Sequence, residues 1–92
     1  MSYKVELSAT AVKHLKEWNR SGQKSVLRKI SDLIKELEEH PTTGTGHPEQ
    51  LRGNYSGLWS RAIDKKNRLI YTIEDNIVKV TILSLLGHYS DR

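Results

Sequence analysis

The sequence predicts one α+β domain over residues 1–92, with two helices packed on one face of a small antiparallel sheet. Three observations lead to this prediction. A chain of 92 residues has room for a single domain. Apolar residues recur at helical spacing between residues 9 and 40, whereas apolar and polar residues alternate in three later segments separated by turn residues. Helices grouped in one part of a chain and strands in another are typical of α+β folds.

The first half of the chain predicts a short N-terminal strand followed by two helices. Residues 3–7 alternate in polarity, and Ser8 or Thr10 can cap the helix that follows. This helix ends at residues 21–22. The second helix continues to Pro41, whose ring is incompatible with a helix interior. Each helix has an apolar stripe that can face a sheet.

The second half predicts a loop and a three-strand meander. Residues 41–57 hold both prolines and most of the glycines of the chain, and they show no regular period. Strands are expected at 58–63, 68–73 and 77–86, where apolar and polar residues alternate. Because short turns join neighbouring strands, this meander is predicted to be antiparallel.

A two-residue turn between the first two strands of the meander fixes the predicted register. With the turn at 65–66, Arg61 lies opposite Ile70, so Arg61 and Arg68 share the face turned away from the helices, together with Trp59. The other face is apolar and is formed by Leu69, Tyr71, Ile73, Val78, Val80 and Ile82. Two arginines beside an aromatic ring suit a phosphate-binding surface, and the alternative is a half-exposed face decorated with charge.

The positive charge of the chain is concentrated in this predicted sheet. Lys and Arg total 15 against 11 Asp and Glu. Residues 50–73 carry five basic residues and one acid, whereas the rest of the chain carries ten of each. Such a basic segment predicts a polyanion as partner, and the alternative is a solvated lysine-rich turn.

The composition also narrows the class of protein. The chain has no cysteine, which excludes disulfides and thiolate metal sites. Its longest apolar stretch, 80–86, is far shorter than the roughly 20 residues that span a bilayer. The N-terminus lacks the apolar core of a signal peptide, so we expect a soluble cytoplasmic protein without membrane contact.

No metal site or cofactor is predicted. His40 and His47 do not match a metal-ligand spacing, and His14 and Glu17, one helical turn apart, are a weak pair. His88 differs from the other histidines because it follows an apolar strand. That position makes it a candidate for a functional group.

Four segments in the second half of the chain resemble, in the same order, the motifs of the YoeB/Txe toxins of the RelE superfamily of toxin–antitoxin ribonucleases. They are GTGHPEQLR at 44–52, SGLWSR at 56–61, NRLIY at 67–71 and His-Tyr at 88–89. The order of helix, helix, loop and meander is also similar. The resemblance covers nearly the whole chain and implies a RelE-like fold.

The resemblance also implies roles for individual residues. Glu49 would be the general base, Arg68 the residue that stabilises the phosphate, and His88 the general acid. Tyr89 would orient the substrate beside His88. RNA cleavage without a metal needs a base, an acid and a cation. A base takes the 2′-hydroxyl proton, an acid protonates the 5′-oxygen, and a cation offsets the charge of the phosphorane.

Further residues are candidates for contact with RNA. They are Arg52, Trp59, Arg61, Lys65 and Lys66. Arg52 and Arg61 match basic positions that the family uses near RNA, and the two lysines extend the basic segment. Trp59 either stacks on a base or packs in the core.

Two departures from the family pattern bear on these roles. The family often has a second arginine directly after the position of Arg61, where this chain has Ala62. The His-Tyr pair often closes the family's chains, whereas residues 90–92 follow it here. The first departure removes a charge expected near the scissile phosphate, and the second could shift His88.

The resemblance implies a ribosome-dependent endoribonuclease that needs no metal, cleaves messenger RNA in the ribosomal A site and so inhibits translation. It also implies a cognate antitoxin protein, with operator DNA bound only through the antitoxin complex. A homodimer is expected because a chain this short has a thin core. The alternatives are a non-catalytic RNA- or ribosome-binding module, or an inactive relative held by an antitoxin-like partner.

Overall fold

The computed structural model describes residues 2–87, which form a two-helix, five-strand α+β fold. In chain order the elements are β1 (Lys4–Leu7), α1 (Ala9–Ser21), α2 (Lys24–Glu39), β2 (Glu49–Gln50), β3 (Trp59–Ala62), β4 (Arg68–Glu74) and β5 (Lys79–Ser84). The predicted α+β class and the order of the helices and the meander are confirmed. The predicted site residues His88 and Tyr89 lie outside the described residues.

The start of α1 is fixed by Ser8, one of the two predicted caps. Its Oγ accepts a hydrogen bond from the Ala11 N–H at 3.1 Å. The same hydroxyl donates to the Leu83 carbonyl at 3.1 Å, which ties the helix to the end of β5. The helix stops at Gly22, whose φ of 74° lies in the left-handed region that glycine adopts without strain.

The sheet is mixed rather than antiparallel. Its strand order is β1-β5-β4-β3-β2, and β1 runs parallel to β5 with Val5 opposite Val80. The other three pairs are antiparallel. The all-antiparallel prediction was wrong because short turns specify only neighbouring strands, whereas β1 pairs with the last strand of the chain. The two-residue strand β2 was also missed, since it lies within the predicted loop.

The register of β3 against β4 differs from the prediction by one residue. Arg61 lies opposite Leu69 and not opposite Ile70. The connecting turn is longer than two residues, because the Ile63 N–H donates to the Asn67 carbonyl at 2.9 Å. A shift of one residue moves every side chain to the other face. Arg61 therefore points toward the helices.

The core lies between the two helices and one face of the sheet. Its buried residues are Ala11, Trp18, Ile30, Leu33, Leu37, Ile63, Leu69, Tyr71, Val80, Ile82 and Leu85. Trp59 packs against this core and stacks on Tyr71, with ring centroids 6.4 Å apart. The prediction that Trp59, Arg61 and Arg68 share a solvent-facing side is therefore wrong, because the first two lie on the core side.

Replacing Ser8 by alanine tests the link between α1 and β5. The Ser8→Ala variant loses both the cap and the bond to Leu83, so the free energy of unfolding should fall by roughly 1–2 kcal/mol. Urea denaturation followed by circular dichroism measures this change. Ser25→Ala, at an exposed position of α2, is the control and should change stability by less than about 0.5 kcal/mol. Equal losses in the two variants would contradict the assigned role of Ser8.

Candidate active site

The candidate active site lies on the sheet face turned away from the helices. Glu49 of β2 is opposite Ser60 of β3, and Arg68 of β4 is opposite Ala62 of β3. Residues that are opposite each other share a face of a sheet, and so do residues two apart on one strand. The strand register therefore brings Glu49, Ser60 and Arg68 together on this face.

The Arg68 guanidinium is held from two sides. Its Nη2 lies 3.3 Å from the Glu49 Oε1 and forms an ion pair, and its Nε donates to the Ser60 Oγ. Ser60 is fully buried, whereas the side chains of Arg68 and Glu49 are 23% and 55% exposed. Exposed ion pairs contribute little to stability. The main effect of these contacts is the fixed orientation that they give the guanidinium.

Ser60 was not among the predicted site residues. The predicted register of β3 is wrong by one residue and puts Ser60 on the core side. The signal that could have found it is its place in β3 between Trp59 and Arg61. Once these two residues are assigned to the core side, alternation puts Ser60 on the face of Arg68.

Gly87, at the end of the described chain, lies beside Arg68. The Arg68 N–H donates to the Gly87 carbonyl at 2.8 Å, and the Gly87 N–H donates to the Asn67 Oδ1 at 2.8 Å. The chain therefore leaves residue 87 from a position that is fixed against the start of β4. The predicted residues His88 and Tyr89 follow directly in the sequence.

The predicted RNA-contact residues divide into two groups. Arg52, Lys65 and Lys66 are exposed. Arg61 is fully buried, and its guanidinium is surrounded by acceptors of the protein itself. Trp59 is half-buried against the core, as the core-packing alternative expected. Three basic residues of the predicted set therefore remain at the surface, and Arg61 does not.

Two absences hold for residues 2–87. No three His, Asp or Glu side chains in this part of the chain lie close enough together to hold a metal ion. No helix in the same range is long and apolar enough to cross a membrane.

Several solved structures of bacterial toxins share this fold. A YoeB/ParE toxin from Agrobacterium tumefaciens matches with a TM-score of 0.86 at 28% identity, over 94% of this chain and 99% of its own. A chain of the YoeB-YefM complex from Staphylococcus aureus matches with 0.78 at 31% identity, over 97% and 100%. The YoeB dimer from S. aureus gives 0.80 at 30% identity, with the same coverage. The fold is therefore that of the YoeB-type toxins.

The sequence comparison identifies the family. Residues 7–89 match the family described as YoeB-like toxin of bacterial type II toxin-antitoxin system. The protein "Toxin YoeB" of Synechocystis sp. is 42% identical over 72 residues, which cover 78% of this chain and 81% of the relative. This chain belongs to the YoeB-like toxin family, and the resemblance inferred from the four motifs is confirmed.

Replacing Ser60 by alanine tests how Arg68 is held. Ser60→Ala removes the acceptor of the Arg68 Nε–H, so this hydrogen should exchange faster with water and the protein should lose about 1–3 kcal/mol of stability. Nuclear magnetic resonance of arginine Nε–H groups and urea denaturation measure the two effects. Ser56→Ala, at an exposed position before β3, is the control. Unchanged exchange at Arg68 would contradict the contact.

Proposed function

We propose that this protein is a ribosome-dependent endoribonuclease that cleaves messenger RNA in the A site and so inhibits translation. The observation that carries the proposal is the exposed pair of Glu49 and Arg68, held on one face of the sheet in a chain of the YoeB-like toxin family. The position of Gly87 beside Arg68 supports the proposal as well, because His88 is the next residue.

In the proposed reaction, Arg68 binds the scissile phosphate and offsets the charge that develops on it. Arginine suits this role because its guanidinium is planar, remains charged and can donate two parallel hydrogen bonds. The bond to Ser60 supports the role, since it fixes the guanidinium before the substrate arrives. Donors that need no reorganisation stabilise a transition state more effectively than mobile ones.

Glu49 is the proposed general base and His88 the proposed general acid. Glu49 would take the proton of the 2′-hydroxyl, which attacks the adjacent phosphorus. His88 would protonate the departing 5′-oxygen, and Tyr89 would orient the substrate. The products would be a 2′,3′-cyclic phosphate and a 5′-hydroxyl, without a metal ion or cofactor. A carboxylate is intrinsically a weak base for a hydroxyl proton, so much of the acceleration is expected from the way in which the ribosome presents the message.

Substrate binding would begin with the displacement of Glu49 from its ion pair with Arg68. A phosphate that reaches Arg68 competes with the Glu49 carboxylate for the same guanidinium. The exchange frees the carboxylate from Arg68 at the moment when a 2′-hydroxyl is close to it. The exposed residues Arg52, Lys65 and Lys66 would bind phosphates of the message or of ribosomal RNA.

The proposed partners follow from the relatives. The S. aureus relative forms a YoeB-YefM complex, and a YoeB dimer from the same organism has been solved. We expect this chain to bind a cognate antitoxin protein of that kind, to act in the cytoplasm and to form a homodimer. Operator DNA would be bound only through the antitoxin complex.

A cell-free translation reaction tests the nuclease. With the purified protein, primer extension should show new messenger ends at A-site codons, and none when ribosomes are left out. Glu49→Gln and His88→Ala should each lower the single-turnover rate by about 10²–10⁴-fold, because each removes one proton-transfer group. Glu74→Gln makes the same replacement at the far end of β4 and is the matched control.

Two outcomes would contradict the nuclease. Intact messenger, with the protein nevertheless sedimenting with ribosomes, would leave the non-catalytic binding module in its place. Cleavage that persists in Glu49→Gln and His88→Ala would remove the two residues from the mechanism. A 5′-phosphate on the product would also contradict attack by the 2′-hydroxyl.

The double variant Lys65→Ala/Lys66→Ala tests the proposed RNA contacts. Each lost phosphate contact lowers the salt dependence of binding, so the slope of log K against log salt should fall in magnitude by about 1–2. Filter binding to ribosomes over a series of potassium concentrations measures it. The rate at saturating ribosomes should not change. Lys13→Ala/Lys16→Ala on α1 serves as the control, and equal effects of the two pairs would contradict a specific role of the turn.

A further inference from the structure

The buried guanidinium of Arg61 is bonded at every donor position. Its Nε donates to the Tyr71 Oη (3.2 Å), its Nη1 to the Glu36 Oε1 (3.0 Å) and the Thr45 carbonyl (3.4 Å), and its Nη2 to the Thr43 carbonyl (2.7 Å) and the His40 carbonyl. Burying an arginine is strongly unfavourable unless its charge and donors are matched in this way. The Arg61 side chain is therefore committed to contacts inside the protein, and a residue that only binds RNA at the surface would not need them.

The acceptors of Arg61 belong to three parts of the fold. Glu36 lies in α2, Tyr71 lies in β4, and the three carbonyls belong to the segment 40–45 that leaves α2. Glu36 also accepts hydrogen bonds from the Thr45 N–H at 2.8 Å and the Thr45 Oγ1 at 2.6 Å. The hydrogen bond from the Thr45 side chain, assisted by the charge of Arg61, lowers the pKa of Glu36. The segment is therefore tied to both the helix and the sheet.

The same segment leads directly to Glu49. The Ala62 N–H donates to the Gly46 carbonyl at 2.7 Å. A Cβ at Gly46 would lie 2.9 Å from the Ala62 carbonyl oxygen, so the chain passes against β3 too closely for a side chain. Glu49 follows three residues later in β2, which has only two residues paired with β3. Such a short strand cannot fix its own position, since isolated pairing of this length is not stable in water.

We propose that Arg61 is a positioning residue for Glu49. By holding segment 40–46 against the sheet, it sets where β2 lies on β3 and hence the distance between the carboxylate of Glu49 and the guanidinium of Arg68. The expected effect of Arg61 on the cleavage rate rests on the proposed function, whereas its expected effect on the position of β2 does not. Arg61 itself has no contact with substrate in this assignment.

The protection of backbone amides from hydrogen exchange reports how firmly β2 is paired with β3, and this measurement needs no ribosome. Two amides flank the pairing of β2 with β3: the Ala62 N–H, which donates to Gly46 in segment 40–46, and the Leu51 N–H, which donates to the Leu58 carbonyl at 2.9 Å just after β2. In Arg61→Lys these two amides should lose protection by about tenfold or more, while the Val80 amide in the centre of the sheet keeps most of its protection. Equal loss at all three amides would reduce Arg61 to a general stabilising residue and overturn the proposal.

Glu36→Ala covers the case in which Arg61→Lys does not fold. Glu36 is partly exposed on α2, so its replacement leaves the core intact while it removes an acceptor of Arg61 and both bonds to Thr45. The same two amides should lose protection. Glu38→Ala, an exposed carboxylate two positions further along the same helix, is the matched control and should leave them unchanged. No change in Glu36→Ala, or the same change in both variants, overturns the proposal.

The rate of cleavage supplies the second readout. In Glu36→Ala, kcat should fall by about 10–100-fold with KM nearly unchanged, because a misplaced base affects the chemical step and leaves binding intact. Val80→Ala, a core variant away from the site, provides a protein with reduced stability and should keep its kcat. Loss of amide protection with an unchanged kcat would refute the positioning role. Absence of cleavage in the wild-type protein would refute the nuclease, while the exchange data would still decide the link between Arg61 and β2.

Discussion

The pairing of Arg61 with Leu69 sets the register of β3 on β4, and the chemistry of both sheet faces depends on it. On the helix side this register buries Arg61 next to Tyr71. On the other side it brings Ser60 beneath the guanidinium of Arg68, with Glu49 opposite. A shift of one residue would exchange the two sets of side chains, because successive residues of a strand point to opposite faces. One register therefore determines both that Arg61 is bonded inside the protein and that Arg68 faces a ligand.

The buried arginine also explains how a glycine-rich segment can have a defined path. Gly44 and Gly46 have φ angles of 115° and 84°, and glycine has little conformational preference of its own. The order of the segment must therefore come from outside it. Three donors of the rigid Arg61 guanidinium bond to its carbonyls, and Glu36 and the Ala62 N–H add further bonds. A lysine has three donors and no planar arrangement, so it could not replace these contacts one for one. The cost of burying the charge is offset by the acceptors that helix, loop and sheet supply.

The features that sequence predicted correctly are local ones. The helices and the cap at Ser8 depend on spacing and on neighbouring residues. The parallel pair of β1 and β5 depends on strands at opposite ends of the chain, and no local pattern specifies it. The inward direction of Arg61 was missed because the turn before β4 is longer than the two residues assumed for it. The partners of Arg61 could not correct the error, since they are mainly backbone carbonyls, which carry no sequence signal. The family motifs suggested Glu49 and Arg68 independently of register, and the strands do bring these two residues together.

The exposure of the Glu49–Arg68 pair limits what the isolated protein can select. An ion pair in contact with water is weak and exchanges its partners readily, so phosphates of very different nucleic acids could displace Glu49 from Arg68. Ala62, opposite Arg68, removes a further cation from the same face, where the family often has an arginine. The Arg68 guanidinium, 23% exposed beside Glu49, gives little discrimination between substrates by itself. In the proposed function, selectivity and most of the substrate positioning must therefore come from the ribosome, which presents the RNA. This is the physical reason to expect cleavage only on the ribosome.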